Sequence, residues 1–327
     1  MDFNFKLDEL RKLPHAYCED MRDRVFPLHP LLDDSGKWHL WIPQNGAIID
    51  FSGSTPHEAN YFAKAPDRTD DIIFPFLEFL EKRAFWPDIL IWLTSITNDI
   101  HNLSASMAKI SILFKENRKS GLDVRRMVGT EIEYIFFVCR SLFDLLQKII
   151  KNLWRRATRC TPGLQEQNLP DSFGKMCLFD DKPMSIEDIV KRRNVPSELA
   201  AFYNSNARFF EWLREYRDII VHKDGEFNLI FIDEKGLAIS NIIAPFDSMP
   251  IWSNTNTLPN DLGSLKSVVS YIISSTFDAF EDAIDFFKTK ITFPADVVPN
   301  HRMYLRGVNN SYIINLKSDI SNPWKDS

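Results

Sequence analysis

ARFFEWLREYRDIIVHKDG, residues 207–225, is the stretch that organises the rest of the chain. Its apolar residues recur at spacings of four, three and four, which is the pattern of one buried face of an α-helix. These residues are Phe209, Leu213, Tyr216 and Ile220. Gly225 follows, and glycine readily takes the left-handed conformation that ends helices. The pattern therefore predicts the last turns of a long helix that ends at Asp224 and Gly225.

Polar residues lie off this apolar line. They are Arg214, Arg217, Asp218 and His222. Asp218 and His222 are four residues apart, so the carboxylate can reach the imidazole across one helical turn. A second arginine and histidine with the same spacing as Arg217 and His222 occurs at Arg24 and His29. That copy contains Pro27 and cannot lie on a continuous helix.

The composition is that of an ordinary globular protein, with 327 residues, 44% hydrophobic and 26% charged. The net charge of −6 means that any contact with nucleic acid needs a local basic patch. The four cysteines contain no C-x-x-C pair, which favours free thiols in a reducing compartment. The N-terminus is too charged for a signal peptide, and no apolar run approaches about 18 residues. The sequence therefore predicts a cytoplasmic protein with no membrane contact.

Residues 1–71 are predicted to form an irregular N-terminal extension. It contains one small hairpin, in which Trp38–Ile42 and Ala47–Phe51 flank the turn dipeptide Asn45-Gly46. The histidines of this segment show no metal-ligand spacing on a helix, which favours packing or surface roles and predicts no metal site. These histidines are His15, His29, His39 and His57.

From residue 72 to residue 291 the apolar spacing is mostly helical. Two long helices, following Pro87 and Asp123, are joined by a short polar turn and should form an antiparallel hairpin. Met184–Arg193 is predicted as a short helix because Ser185 and Asp188 have the spacing of a capping box.

A second hairpin at about residues 227–240 and a last helix at about residues 262–290 complete this region. Residues 292–327 are predicted as a C-terminal tail with one strand at Ser311–Leu316. The predicted fold class is mainly α: an antiparallel bundle of four to five long helices, a small β-hairpin insertion and the irregular N-terminal extension.

The second long helix also carries a polar stripe, Glu133, Arg140 and Asp144, at spacings of seven and four. The stripe is either a solvated flank with an Arg140–Asp144 ion pair or one wall of a cleft. In the second interpretation it would face Arg217 and His222, with Arg214 beside them.

Basic residues crowd the ends of two predicted helices. They are Lys151, Arg155, Arg156 and Arg159 on one helix, and Lys191, Arg192 and Arg193 on the other. These cations either complement the negative ends of the helix dipoles or form an RNA-binding surface. Trp154 is either a platform for base stacking on that surface or an anchor in the core.

The sequence Arg217-Asp-Ile-Ile-Val-His222 resembles the R-x4-6-H motif of the HEPN superfamily of helical ribonuclease and RNA-binding domains. The likeness extends over about residues 86–290 as a pattern of four long helices. Only Arg217, Asp218 and His222 carry the motif itself.

The resemblance implies a metal-independent endoribonuclease that cleaves RNA through the ribose 2′-hydroxyl, without a cofactor. His222 would transfer protons, Arg217 would stabilise the phosphate charge and Asp218 would orient the imidazole. The resemblance also implies a role as a toxin or defence effector, a homodimer through the motif helix, and an inhibitory protein partner. The alternatives are a non-catalytic HEPN-like module that binds RNA or protein, and a helical interaction protein of another family.

Overall fold

The structure, a computed structural model, describes residues 7–165, 167–222 and 230–324, and only the backbone of Leu7 and of residues 217–222. The helices of the described residues are α1 Leu7–Leu10, α2 Pro75–Arg83, α3 Pro87–Ser120, α4 Arg125–Cys160, α5 Phe173–Cys177, α6 Ile186–Arg193, α7 Ser197–His222, α8 Leu265–Lys290 and α9 Leu316–Ser321. The strands are β1 Leu31–Leu32, β2 Trp38–Gln44, β3 Ala47–Phe51, β4 Ala59–Ala63, β5 Leu178–Phe179, β6 Lys182–Pro183, β7 Ile230–Asp233, β8 Gly236–Ser240, β9 Thr257–Leu258, β10 Leu262–Ser264 and β11 Arg302–Arg306.

The predicted fold class, a mainly α bundle, is wrong. About 50% of the protein is helical and 14% is strand, and the described residues form three separate sheets, so the fold mixes α and β structure. The sheets have the strand orders β11-β4-β1-β2-β3, β7-β8-β10-β9 and β5-β6. Many of these strands are two to five residues long. Such short strands show too little alternation to be detected by periodicity, and distant partners stabilise them through backbone hydrogen bonds.

The chain divides into two compact units. Unit 1 comprises residues 1–95 and 288–310, and unit 2 comprises residues 96–287 and 311–327. The domains predicted from the sequence have other boundaries: residues 1–71, 72–291 and 292–327. They stay a prediction. The units follow spatial contacts instead, and these place β11 of the predicted tail in the sheet of the N-terminal segment.

Unit 1 is built on the five-stranded mixed sheet. The predicted hairpin is confirmed as β2 and β3, which pair antiparallel from Leu40 opposite Phe51 to Gln44 opposite Ala47. Asn45 and Gly46 both have positive φ, as a two-residue hairpin turn requires. β1 pairs parallel with β4, and β11 pairs antiparallel with β4 over five residues. The N-terminal segment is therefore a sheet rather than an irregular extension.

A buried ionic network joins the two chain segments of unit 1. Arg306, at the end of β11, is 1% exposed. Its guanidinium donates hydrogen bonds to both carboxylate oxygens of Asp71, at 3.1 and 2.8 Å, and to Asp67 at 2.6 Å. The Tyr61 hydroxyl donates to Asp71 at 2.7 Å, and the Trp38 ring lies 4.7 Å from the guanidinium carbon. Burial opposes the charge of Asp71, but the hydrogen bonds from Arg306 and Tyr61 lower the pKa of this carboxyl.

Unit 2 contains the long helices that the periodicity predicts. α3, α4, α7 and α8 are each at least 26 residues long. α4 and α7 pack antiparallel. Phe136 stacks on Tyr216 with ring centroids 3.5 Å apart, and the rings of Phe143 and Phe210 lie 5.5 Å apart. Residue numbers thus rise along α4 as they fall along α7. The two aromatic contacts define which residues of the two helices lie at the same level.

Two local predictions in unit 2 are confirmed. Ser185 caps α6, since its hydroxyl accepts a hydrogen bond from the backbone N–H of Asp188 at 3.1 Å. β7 and β8 form the second hairpin from Ile230 onward, and residues 223–229, including the predicted helix end at Asp224 and Gly225, lie outside the described residues. The predicted strand Ser311–Leu316 is wrong. A 3-10 turn at Asn310–Tyr312 and then α9 occupy this segment. Its buried residues Ile313 and Leu316 are three apart, a spacing that does not fit the alternation of a strand.

All four cysteines are free, as predicted from their spacing. Among the described residues, no helix has both the length and the apolar character needed to span a bilayer.

Asp71→Ala should destabilise the protein by about 3–5 kcal/mol, because it leaves the Arg306 guanidinium buried without its main carboxylate partner. Asp70→Ala is the matched control, since Asp70 pairs with Arg68 at the surface and such pairs contribute only about 0–1 kcal/mol. Urea unfolding of both variants measures the difference. Equal losses of free energy would show that the buried network does not hold unit 1 together.

Candidate functional site

The predicted catalytic residues lie in the last turns of α7. The helix is continuous from Ser197 to His222, so Arg217, Asp218 and His222 all belong to it, and their side chains lie outside the described residues. Arg217 and His222 are five residues apart, which separates them by about 7.5 Å along the axis and about 140° around it. One ideal helix therefore does not bring these two residues side by side.

The second copy of the spacing, Arg24 and His29, is structural. Arg24 is buried and donates hydrogen bonds to backbone carbonyls, including those of Lys82 at 3.1 Å and Ala295 at 2.8 Å. The His29 imidazole is hydrogen-bonded to Glu81. Backbone carbonyls hold Arg24 and a carboxylate holds His29, which agrees with the argument from Pro27 against this copy on a continuous helix.

The register of α4 against α7 places the predicted polar stripe. Glu133 precedes Phe136 by three residues, so it lies about one turn beyond the Phe136–Tyr216 contact, at the level of the motif. Its carboxylate acts on Tyr216: burial, and then the charge of Glu133, raises the pKa of the Tyr216 hydroxyl well above its usual value. Glu133 is thus the member of the stripe that reaches the end of α7.

Arg140 and Asp144 lie in the opposite direction along α4. They follow Phe136 by four and eight residues, which puts them about 6 and 12 Å away from its level, toward the start of α7. They form an ion pair at 2.9 Å and are about three-quarters buried. Arg140 and Asp144 therefore fit the alternative of a paired flank better than the wall of a cleft at His222.

Arg214, also predicted for the cleft, binds the β5–β6 hairpin instead. Its guanidinium contacts the carboxylate of Asp181 at 2.5 Å. Asp180 and Asp181 both have positive φ and form the turn of this hairpin. Arg192 of α6 lies over the ring of Phe179 on the same hairpin, 3.8 Å from its centroid. Two predicted functional arginines thus converge on the hairpin from α7 and α6.

The predicted RNA-binding residues lie on both sides of the segment 171–175. Lys151 of α4 pairs with Asp171 at 2.6 Å, and Arg193 of α6 donates to the backbone carbonyl of Lys175. The fold therefore links the two basic clusters that the sequence separates by more than thirty residues. Lys191 and Arg192 are exposed.

The remaining basic residues differ in their exposure. Burial, and then the charge of Arg192, lowers the pKa of Arg193. Arg155 is exposed and donates to Asn152 at 3.0 Å, Arg156 is half-buried, and Arg159 is exposed. Trp154 is 1% exposed, so it is a core anchor and not a platform for base stacking.

Sequence reasoning missed a group of histidines in unit 1. The rings of His15 and His39 both stack on Trp41, with centroids 5.7 and 5.5 Å away, and His301 lies 6.2 Å from His15. The available signal was the spacing of His39 and Trp41, which are two residues apart and so share one face of β2. His15 and His301 come from distant parts of the chain, so no local pattern could join them.

His39 is held between two carboxylates. Its Nδ1 lies 2.7 Å from Asp50 and its Nε2 lies 3.2 Å from Asp33. Burial lowers the pKa of His39, but the hydrogen bonds with Asp50 and Asp33 outweigh burial and raise it. Both nitrogens can donate only as the imidazolium, so the pair of carboxylates favours the charged form. With both nitrogens engaged, His39 is no open acid or base.

His15 is the opposite case. It is 4% exposed, and neither ring nitrogen has a hydrogen-bond partner among the described residues. Burial, and then the nearby His301 and His39, lower the pKa of His15 to about 4. His15 therefore stays neutral in the folded protein at neutral pH and serves as a packing ring.

Nowhere in the described part of the chain do three or more histidine, cysteine, aspartate or glutamate side chains converge with a geometry that could hold a metal ion. No family model, curated protein or solved structure matches the chain. The resemblance to the HEPN motif therefore stays a prediction, and the chemistry of the α7 segment is its only support.

His15→Phe should make the protein less sensitive to acid. The unfolded chain protonates His15 below about pH 6.5 and the folded protein only near pH 4, so His15 reduces the free energy of unfolding as the pH falls through that window. The reduction is about 3 kcal/mol at pH 4. Urea unfolding at pH 7 and pH 4.5 measures it, with His57→Phe at an exposed position as the control. An acid loss in His15→Phe as large as in the parent protein would contradict this account.

Proposed function

We propose that the protein is a metal-independent endoribonuclease whose site is formed by Arg217, Asp218 and His222. The observation that carries the proposal is the continuity of α7 to His222, with Glu133 of α4 at the level of its last turns. These residue types at the end of one helix, next to a carboxylate, supply an acid or base, a fixed positive charge and a group to orient the imidazole.

The reaction follows from the residue types. A base removes the proton of the ribose 2′-hydroxyl, and the oxygen attacks the adjacent phosphorus. The O2′–P bond forms, the P–O5′ bond breaks, and an acid returns a proton to the departing 5′-oxygen. His222 has the side chain whose unperturbed pKa lies nearest neutrality, so it is the proton carrier. Arg217 stays charged throughout and neutralises the phosphate charge that builds up in the transition state.

Asp218 is a positioning residue in this scheme. A carboxylate close to an imidazole favours the protonated form and orients the ring. Asp218 provides this influence from one turn before His222 on α7. Glu133 adds negative charge at the level of the motif, while Arg140 and Asp144 neutralise each other two turns away.

The basic surface formed by Lys151, Lys191 and Arg192 supplies the approach for RNA. Net charge is −6, so an RNA strand is repelled by most of the molecule and attracted only where cations cluster. Lys191 and Arg192 are exposed on α6, and the segment 171–175 connects them to Lys151. Phosphate contacts of this kind fix the strand without reading its sequence.

A homodimer completes the site. Because Arg217 and His222 are about 140° apart around α7, the arginine and histidine of one chain do not face one phosphate together. A two-fold interface along the end of α7 presents the same surface of both chains, so Arg217 of one chain can act with His222 of the other. The two-fold dimer then holds two such composite sites, each with the arginine of one chain and the histidine of the other.

Arg217→Ala and His222→Ala should each reduce RNA cleavage by at least about a hundredfold, the usual effect of removing an acid, a base or a charge-stabilising group. Cleavage by the parent protein should persist in excess EDTA. The matched control is Arg208→Ala, which removes the same charge from an exposed position of the same helix. Gel assays of a labelled RNA measure the rates, and thermal melts confirm that each variant is folded.

Full activity of both variants would exclude these residues from catalysis. Activity that EDTA abolishes and Mg²⁺ restores would exclude the metal-free mechanism. Loss of cleavage in Arg208→Ala as well would point to RNA binding by the charge of the helix rather than to a site at its end.

Mixing Arg217→Ala with His222→Ala should restore part of the activity, since a mixed dimer contains one site with an intact arginine from one chain and an intact histidine from the other. Random exchange gives about half mixed dimers, each with one working site of two, so about a quarter of the parent activity is expected. Specific activity of the parent should also fall on dilution through the dimer dissociation constant. A mixture as inactive as its components would contradict the shared site.

A further inference from the structure

A half-open cavity of about 350 Å3 is lined by residues of unit 2, none of which belongs to α7. Four parts of the chain line it: α3, β8, the start of α8 and the segment from Ser311 to Trp324. The volume lies at the lower end of the range for small-molecule sites, about 300–1,000 Å3. The cavity is therefore large enough for a compact organic ligand.

About half of the cavity wall is apolar. Met107 on α3, Leu237 on β8, and Leu265 and Val269 on α8 line it and are all buried. Phe114 is half-buried farther along α3. Such walls favour a ligand with an apolar body, because contact with it removes hydrocarbon surface from water.

Two cationic side chains also line the cavity. Lys266 lines the cavity and pairs with Asp319, another lining residue, at 3.0 Å. Lys115 also lines it, is exposed, and forms no ion pair with any described residue. The two lysines and the one carboxylate leave one positive charge in excess. The first turn of α8 adds the positive end of its helix dipole to the same side.

We propose that this cavity binds an amphipathic organic anion that carries a single carboxylate on an apolar body. The carboxylate pairs with Lys115, and the apolar body fills the space between α3 and α8. A cation is disfavoured because the only lining carboxylate, Asp319, is already paired within the described structure. A highly charged anion is disfavoured because the lining offers one positive charge in excess and part of the wall is hydrocarbon, which solvates charge poorly.

Ligand binding should also stabilise the segment from Ser311 to Trp324, which forms part of the cavity wall. The cavity wall includes Tyr312 and Trp324, and the Lys266–Asp319 pair joins α8 to α9. A ligand in the cavity contacts α3, α8 and this segment at once. Because it binds the folded arrangement and not the unfolded chain, it should raise the thermal stability of the protein.

Octanoate, 1-octanol and octylamine share one apolar chain and differ in charge, so calorimetric titration of the full chain with each separates the contributions. Octanoate should bind at least about threefold more tightly than octanol, the size expected for one partly exposed ion pair, and octylamine more weakly than both. Octanoate should also raise the melting temperature. No binding of octanoate at millimolar concentration, or equal binding of all three, would overturn the proposal.

Lys115→Gln should weaken octanoate by the same factor and leave octanol unchanged. Lys119→Gln is the matched control, since Lys119 is exposed on the same helix and does not line the cavity. Ile110→Trp, at a half-buried lining position, should fill the cavity and abolish binding of both compounds, with a thermal melt to confirm folding. Undiminished octanoate binding in Lys115→Gln, or in a folded Ile110→Trp, would place the ligand elsewhere.

Discussion

The contact between α4 and α7 determines the arrangement of unit 2 on which the proposed catalytic site depends. Phe136 stacks on Tyr216, and farther along the helices the buried Tyr203 hydroxyl donates to the Gln147 carbonyl at 2.7 Å. The Gln147 amide in turn donates to the backbone carbonyl of Pro170 at 2.8 Å. Buried polar groups are costly unless they are paired, so this chain of hydrogen bonds permits few other registers. The register then decides that Glu133, and not Arg140 or Asp144, lies level with the end of α7.

The β5–β6 hairpin is the second element that organises the surface of unit 2. It receives Arg214 from α7 through Asp181 and Arg192 from α6 through Phe179. The sequence assigns Arg214 to a cleft and Arg192 to an RNA surface, but both contact this one hairpin. An arginine that is already paired at the protein surface still contributes to the local electrostatic potential, but its guanidinium is less available to bind a ligand directly. The exposed Lys191 and the motif at the end of α7 therefore carry the greater part of the proposed chemistry.

Unit 1 solves a different physical problem, the burial of charge. Arg306 enters the core of the sheet from β11 and is held by Asp71 and Asp67, while His39 is held by Asp33 and Asp50. Breaking a buried ion pair is expensive because the remaining charge is left without a partner. The pairs of Arg306 join residues far apart in the sequence, so they tie the segment that carries Asp67 and Asp71 to the strand at residues 302–306. None of them leaves a histidine nitrogen and a carboxylate open together as a catalytic pair would require.

The sequence by itself determined the helices, whose apolar spacing repeats over many turns, and the hairpins at Asn45-Gly46 and at residues 230–240, whose turn residues are local signals. It also marked Arg217 and His222 as residues of one helix end. Only the tertiary structure decided that the chain mixes α and β structure, since β1, β4 and β11 are too short to show a period and form by pairing with one another. The pairing of Arg214 and the cavity beside α8 were equally beyond the sequence. Each depends on which distant segments meet, and local periodicity carries no information about those contacts.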